Sequence, residues 1–195
     1  MVKAALKLYR TMPYEKINMA KIAKELDFTR ANLYKYFSTK HEVFLKVIES
    51  DFKVYVSDLE KAFGGKDPLP LEKFAWLWAR VFYKHERLLE LVSIQFTVIE
   101  RNVTVEKLAE FKVGLFGELP KFLAIVKKQF PEFSQEELEL FVTMQNIFAV
   151  GLHPSSKLSE VQKKAIAKAE LSYKAPDFVD TFARFIVLTV KRLTG

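Results

Sequence analysis

Apolar residues recur three and four positions apart in almost every segment of this chain, the spacing that places side chains on one face of an α-helix. One such face, near the start of the chain, consists of Ala4, Ala5, Leu8 and Tyr9. Residues 11–13, which end in a proline, stop that helix. No segment alternates convincingly as a strand does, and there is no internal repeat or low-complexity tract. The pattern predicts an all-α fold.

Capping residues, glycines and prolines predict where the helices begin and end. Capping-box sequences start at Thr39 and Ser134, and Ser159 with Gln162 suggests another helix start. The glycine- and proline-containing residues 64–70 are the best candidate for a hinge or domain boundary. From these signals we predict helices over residues 18–26, 29–37, 39–63, 71–84, 86–102, 105–130 with an interruption at Pro120, 134–151, from 159, and 176–193.

Positive charge is concentrated near the N-terminus. The formal net charge is +7, and residues 1–53 hold 11 Lys/Arg against 6 Asp/Glu, whereas the other 142 residues hold 20 against 18. This balance favours a polyanionic partner such as nucleic acid, although a solvated lysine-rich helix face gives the same count.

Several classes of function are disfavoured by composition. The chain has no cysteine, which excludes disulfides, thiolate catalysis and cysteine metal sites. No stretch approaches the ~18 apolar residues that span a bilayer, and the N-terminus does not resemble a signal peptide, so we expect a cytoplasmic protein without a membrane partner. His41, His85 and His153 are scattered outside any metal-ligand spacing. We therefore expect neither an enzyme nor a cofactor.

Residues 18–40 form the most specific segment. Two short helices are separated by a tight turn at residues 26–28. Ile22, Ala23 and Leu26 share a face of the first helix, and Leu33 and Phe37 share a face of the second. This packing leaves four side chains of the second helix pointing away from the core: Arg30, Asn32, Tyr34 and Lys35. The arrangement predicts a helix-turn-helix whose second helix enters the major groove of DNA.

The sequence I-A-K-E-L-D-F-T-R-A-N-L-Y-K-Y-F-S-T-K resembles the signature of TetR-family regulators. Residues 3–50 match that family's DNA-binding domain in order and without gaps, except that Asp27 and Pro13 stand where the family often has glycine. The rest of the chain is similar only in being long, helical and aromatic-rich. The resemblance implies a three-helix DNA-binding domain over residues 1–50 and a helical bundle for effector binding and dimerisation over residues 51–195.

The resemblance implies nine DNA-contacting residues: Asn18, Thr29, Arg30, Ala31, Asn32, Tyr34, Lys35, Tyr36 and Lys40. Asn18 caps the second helix, and Thr29 holds a phosphate oxygen. Arg30 suits a guanine edge, Ala31 allows close approach to the duplex, and Asn32 reads adenine or contacts the backbone. Tyr34 contacts a base, methyl or phosphate, while Lys35, Tyr36 and Lys40 hold phosphates. For both tyrosines, half-buried packing is the alternative.

A single recognition helix buries little surface, so we expect a homodimer on a palindromic operator. Two helical stripes are the candidate dimer surface: Phe141, Gln145, Phe148, Phe178, Phe182, Phe185 and Ile186. By resemblance, these helices form a four-helix bundle between subunits. The alternative is that both stripes belong to the core of the monomer.

The resemblance also implies a pocket for a small, largely apolar effector, with six candidate lining residues: Trp78, Phe82, Phe96, Phe116, Gln95 and Asn102. The alternative is that these side chains are ordinary core residues that bind no ligand. We expect a repressor that leaves its operator when the effector binds, with the helix over residues 39–63 as the mechanical link. The alternative function is a DNA-bound factor of the same architecture that recruits a protein and senses no ligand.

Overall fold

The computed structural model describes residues 1–26, 30–65 and 67–194, without the side chains of residues 30, 31 and 194. All the regular structure in these residues is helical, which confirms the all-α prediction. The α-helices are α1 (Val2–Tyr9), α2 (Met19–Glu25), α3 (Arg30–Tyr34), α4 (Lys40–Phe63), α5 (Leu71–Tyr83), α6 (Glu86–Ser93), α7 (Val105–Phe116), α8 (Leu119–Gln129), α9 (Gln135–Ser156), α10 (Glu160–Lys168) and α11 (Phe178–Thr194). No helix in the described residues is long and apolar enough to cross a membrane.

The chain forms two compact units. The N-terminal unit comprises Met1–Lys53 together with Ile94–Glu118, and the C-terminal unit comprises Val54–Ser93 together with Leu119–Gly195. The domain boundary after residue 50 stays a prediction. The segment Ile94–Glu118 is far from the first 53 residues in sequence, so no local signal assigns it to the N-terminal unit.

The core of the N-terminal unit is built on aliphatic and aromatic side chains from its first helices. Ile22, Leu33 and Phe44 are fully buried. Tyr14, in a 3₁₀ turn between α1 and α2, packs edge-on against Phe44 with 4.8 Å between ring centroids. Such burial explains how α3, only five residues long, is stable, because a helix of that length does not form alone.

Most helix starts agree with the sequence, because capping is a local interaction. The Asn18 side chain accepts a hydrogen bond from the Lys21 amide at 3.0 Å, and both bonds of the capping boxes at Ser134 and Ser159 are formed. At Thr39 only half of the expected box forms. The Thr39 hydroxyl accepts from the Glu42 amide at 3.3 Å, but the Glu42 carboxylate accepts from the amide of Ser38 at 2.6 Å.

Four predicted helix boundaries are wrong. The helix expected over residues 29–37 ends at Tyr34. The helix expected over residues 86–102 ends at Ser93 and gives way to a π-turn, Gln95–Ile99, and a 3₁₀ turn, Glu100–Asn102. The helix expected to end at residue 151 continues through Pro154 to Ser156. Burial of Leu152 and His153 offsets the backbone hydrogen bond that Pro154 cannot donate. α7 and α8 separate before Leu119, so Pro120 lies in the first turn of α8, where proline is well tolerated.

The C-terminal unit has an aromatic core. α5 packs against α11, α11 against α9, and α6 against α9. Trp78 lies near the middle, with ring centroids 5.3 Å from both Phe74 and Phe122 and 6.1 Å from Phe141. All four side chains are fully buried.

Candidate nucleic-acid interface

An open cleft of about 660 Å³ lies beside α3 in the N-terminal unit. It brings together three of the nine residues predicted to contact DNA, namely Asn18, Tyr34 and Lys40. Its other lining residues come mainly from the starts of α2 and α4: Glu15, Ile17, Met19, Ala20, Ser38, Thr39, His41 and Asn102. Backbone amides in the first turn of a long helix have no partner within the helix, so the start of α4 is a favourable place for an anion.

The exposed face of α3 adjoins this cleft. Tyr34 is 52% exposed and Tyr36 60% exposed, and Asn32 and Lys35 are exposed as well, whereas Leu33 is fully buried. Arg30 and Ala31 form the start of α3, with side chains outside the described set, and Thr29 lies outside the described residues. The described polar side chains of α3 thus lie on the surface, while its apolar residue Leu33 lies in the core.

Lys40 has partners inside the protein. Its Nζ donates hydrogen bonds to the backbone oxygens of Tyr14 at 2.8 Å and Glu15 at 3.4 Å, and it lies 4.4 Å from the centroid of the Tyr14 ring. Partial burial lowers the pKa of Lys40, against the opposing effect of the Glu15 carboxylate. Lys40 therefore ties the start of α4 to the 3₁₀ turn, and its contact with phosphate stays a prediction.

Tyr14 and His41 form a buried polar pair at the floor of this region. The Tyr14 hydroxyl lies 2.6 Å from His41 Nδ1. Burial raises the pKa of Tyr14, and burial together with the nearby Lys40 charge lowers the pKa of His41. The tautomer of His41 decides the direction of this hydrogen bond: an unprotonated Nδ1 accepts from the Tyr14 hydroxyl, and a protonated Nδ1 donates to its oxygen.

Asn102 belongs to this cleft, although the sequence assigned it to an effector pocket. Its backbone oxygen accepts a hydrogen bond from the Thr39 hydroxyl at 3.0 Å, and its side chain donates to the oxygen of Val98 at 2.7 Å. This hydrogen bond joins the 3₁₀ turn Glu100–Asn102 to Thr39, the residue that caps α4. Because 63 residues separate the partners, no sequence pattern could have indicated it.

The six predicted effector residues do not all belong to one compact unit. Trp78 and Phe82 lie in the core of the C-terminal unit, whereas Gln95, Phe96, Asn102 and Phe116 belong to the N-terminal unit. Phe96 and Phe116 are 63% and 61% exposed, and Gln95 is buried with its amide donating to Glu100 Oε1 at 2.6 Å. Phe96 and Phe116 are therefore surface residues of the described chain rather than the lining of an enclosed pocket.

Among the buried side chains of the C-terminal unit, two have polar atoms with neither a hydrogen bond nor an ion pair in the described residues. They are Trp78, through Nε1, and Gln145, through both Oε1 and Nε2. Both residues are fully buried. Such orphaned groups cost about 1–3 kcal/mol each, so an internal polar partner such as a ligand group or a water would stabilise them.

The predicted dimer residues divide into core and surface. Five of the seven are buried within the protomer, which is a correction to the expected partner surface: Phe141, Gln145, Phe178, Phe182 and Ile186. Phe148 and Phe185 are partly exposed and stack face to face with centroids 3.9 Å apart. The outward apolar side chains that sequence reasoning missed are Leu140, Met144, Ile147 and Leu188. The first three recur at i, i+4 and i+7, a signal present in the sequence but displaced by one residue, about 100° around the helix, from the stripe chosen.

Comparison with known proteins identifies both parts of the chain. Residues 1–47 match the family model described as bacterial regulatory proteins, tetR family, and residues 49–191 match the model described as tetracyclin repressor-like, C-terminal domain. A search of curated proteins finds no match. Among solved structures, the chain is similar to one titled as the fatty acid degradation regulator FadR from Bacillus halodurans, with a TM-score of 0.56, 14% identity, and coverage of 95% of this chain and 92% of that chain. At this identity the likeness concerns the fold.

Proposed function

Because the chain belongs to the TetR family of bacterial regulators, we propose that it is a repressor that binds a palindromic operator as a homodimer and leaves it when a small, largely apolar effector binds. The family makes the chain a transcriptional regulator and implies DNA binding and dimerisation. The observation that carries the DNA-binding part of the proposal is the exposed face of α3 beside the cleft at the start of α4.

The chemistry of each exposed side chain indicates whether it contacts a base or a phosphate. The two guanidinium hydrogen-bond donors of Arg30 match the acceptors of guanine in the major groove, so we assign base reading to Arg30 and Tyr34. Lys35 and Tyr36 are exposed in the turn directly after α3 and suit phosphate contacts, which position the protein without reading sequence. The first-turn amides of α4 add a further anion-binding element to the same cleft.

Selection of bound DNA from a random pool tests this assignment. We expect a palindromic sequence, and we expect Arg30→Ala and Tyr34→Ala each to weaken its binding by roughly tenfold or more, the effect of losing about 1–3 kcal/mol of base contact. Lys73→Ala is the matched control, because it removes an exposed positive charge from the C-terminal unit. Equal binding by wild type and both α3 variants would remove α3 as the recognition helix.

The homodimer surface that we propose is the outward face of α9 together with α11. Leu140, Met144 and Ile147 form a continuous apolar stripe on α9, and Leu188 is 69% exposed on α11. Exposed apolar stripes of this kind are typical of protein interfaces. Gly151 continues the α9 stripe, and no atom lies within 4 Å of the position of a Cβ there, so a partner helix has room to approach.

The effector site that we propose lies in the core of the C-terminal unit around Trp78 and Gln145. Their unpartnered polar atoms would hold the polar end of a ligand whose apolar part replaces core packing. The similar solved structure is titled a regulator of fatty acid degradation, which supports a fatty-acid-like molecule as the first class to test.

Coupling to DNA would run through the Thr39–Asn102 hydrogen bond. A shift of residues 94–102 would displace Thr39, which caps α4, through this hydrogen bond. The residues that line the cleft beside α3 would then move with it. For the coupling to exist, an effector must bind the free and DNA-bound conformers with different affinity. An effector that binds and leaves operator affinity unchanged contradicts this part of the proposal.

A second candidate function is favoured by one observation, an exposed apolar stripe on α7. Val105, Ala109, Val113 and Phe116 lie on one face of that helix and are exposed to solvent. A surface of this kind fits a DNA-bound factor that recruits a protein. Val113→Ser with Phe116→Ser discriminates the two functions, since it would abolish recruitment and leave effector release intact.

A further inference from the structure

Helix α10 has no buried residue, although it is well formed at its start. Ser159 and Gln162 make both bonds of a capping box, yet Val161 is 78% exposed. The chain that follows is exposed too, with Leu171 at 63% and Tyr173 at 51%. A nine-residue helix is too short to be stable on its own, and apolar side chains on its surface carry a cost. We call residues 157–175 the α10 arm; its exposed apolar side chains are available to pack against a partner.

The α10 arm is basic. It contains five lysines and two glutamates. Lys157 pairs with Glu86 and Lys163 with Glu160, whereas Lys164 and Lys168 make no ion pair among the described residues. Val161, Lys164, Ala165 and Lys168 share one helical face, because they recur at i, i+3, i+4 and i+7. The arm therefore presents a stripe of apolar and positively charged side chains together.

The complementary surface lies at the other end of the preceding helix. Residues 129–156 contain four glutamates and no lysine or arginine. The outward face of α9 begins with Glu136 and Glu139, both exposed, and continues with the apolar Leu140, Met144 and Ile147. The first turns of this face are acidic and the later turns are apolar. Its charge is therefore opposite to that of the α10 arm.

We propose that the α10 arm of one subunit docks on the acidic first turns of α9 in a second copy of this chain. The inference rests on the homodimer of the proposed function. In a two-fold contact the same patch serves both subunits, so antiparallel α9 helices place Glu136 and Glu139 of each copy beside the start of the partner's arm. Parallel helices would instead bring the glutamates of the two copies together, and like charges repel.

The acidic first turns of α9 lie at the end of that helix remote from the arm. Twenty residues separate Glu136 from Ser156, which is roughly 30 Å of helix at ~1.5 Å per residue, while α10 is only about 13 Å long. An antiparallel α9 of a second copy would bring its own Glu136 and Glu139 much closer to the arm.

A charge exchange in the full-length protein tests the proposal, with the dimer dissociation constant measured by sedimentation at low ionic strength. We expect Lys164→Glu with Lys168→Glu to raise that constant by about tenfold, since each of the two symmetric contacts then changes from attraction to repulsion. Glu136→Lys with Glu139→Lys should do the same. Combining all four substitutions should restore the constant to within about threefold of wild type, and high salt should reduce both single-surface defects.

The control variant is Lys3→Glu with Lys24→Glu, which makes the same charge change at exposed lysines of the N-terminal unit and should leave the dimer intact. Circular dichroism checks that every variant is folded. A four-fold variant that dimerises no better than the pairs overturns the arm contact, as does an arm variant that dimerises normally and loses only DNA affinity. A wild-type chain that remains monomeric at every concentration overturns the homodimer itself, and the arm contact with it.

Discussion

At Gly114, helix α7 approaches Glu49 so closely that there is no space for a side chain. A Cβ built at Gly114 would lie 2.6 Å from the carboxylate of Glu49, which is held in place by Lys46 at 2.7 Å and Lys53 at 2.8 Å. The two ion pairs lower the pKa of Glu49 despite the opposing effect of burial. A Cβ at this position would therefore force the Glu49 carboxylate to shift and disturb its two lysine contacts.

Gly114→Ala should therefore lower the free energy of unfolding by about 1–3 kcal/mol, the usual cost of overpacking. Urea denaturation at one protein concentration measures the change. If the clash is the cause, Gly114→Ala costs less in a Glu49→Ala background; an equal cost in both backgrounds contradicts the explanation.

His41 makes stability depend on pH. Its pKa in the folded protein lies below the ordinary value of 6.5, so the unfolded chain takes up a proton first as pH falls. The stability that neutral His41 contributes is complete above pH 6.5 and is lost as pH falls from there through the folded pKa. His153, whose pKa burial also lowers, acts in the same direction.

We expect the unfolding free energy of wild type to decrease below pH 6.5 and His41→Asn to decrease less steeply, because asparagine still accepts the Tyr14 hydrogen bond and does not titrate. Denaturation between pH 5 and 8 measures the two slopes. Parallel curves for the two proteins would show that His41 does not carry the effect.

At the scale of the element, the π-turn over Gln95–Ile99 depends on one carboxylate. Glu100 Oε1 accepts hydrogen bonds from the Gln95 amide and from Lys112 Nζ, both at 2.6 Å, and the Glu100 side chain is only 13% exposed. Removing the carboxylate leaves the buried Gln95 amide without that acceptor. The turn should then lose the interaction that distinguishes it from a continuous helix.

Glu100→Ala should cost about 1–3 kcal/mol in unfolding free energy, the cost of leaving a buried polar group unsatisfied. Glu110→Ala is the control, because Glu110 pairs with Lys107 on an exposed face of α7, where such pairs contribute at most about 1 kcal/mol. Equal small losses in the two variants would mean that Glu100 does not stabilise the turn.

The elements that the sequence predicted correctly depend on neighbouring residues, and those it missed depend on distant ones. Asn18, Ser134 and Ser159 cap helices through partners three residues away, which a sequence displays directly. The π-turn after α6 involves Lys112, which donates to Glu100 twelve residues earlier in the chain, and α9 continues past Pro154 with Leu152 and His153 buried. Local pattern cannot report such contacts.

In the whole molecule, the DNA-facing surface depends on neighbouring residues, whereas the dimer surface and the two compact units depend on residues far apart in sequence. The amphipathic pattern over residues 18–37 predicted that Leu33 is buried and Tyr34 exposed, because one short helix decides both. The assignment of Phe141 and Phe182 to a partner surface failed, since aromatic stripes at helical spacing are equally suited to a core or an interface. Ile94–Glu118 belongs to the N-terminal unit although it is far from the first 53 residues in sequence, so no local pattern could predict it.

The effector hypothesis predicts opposite effects of one substitution on stability and on binding. Gln145→Leu replaces a buried amide without hydrogen bonds by an apolar group of similar size, so it should raise the melting temperature of the free protein. It should also weaken binding of saturated fatty acids by roughly tenfold, through loss of a buried polar contact. Trp76→Phe supplies the measurement, because it leaves buried Trp78 as the only fluorescent tryptophan. Unchanged fatty-acid binding in Gln145→Leu would exclude Gln145 from the site.

In the proposed complex, two copies of the α3 surface read successive major grooves of one operator. Equilibrium titration of the selected palindrome, with and without five base pairs inserted between its half-sites, tests this directly. Half-sites lie ~34–36 Å apart on one face of the duplex, and half a helical turn moves one of them to the opposite face. We expect the insertion to weaken binding by about a hundredfold, nearly to the affinity of a single half-site. Equal affinity for both duplexes would contradict the account.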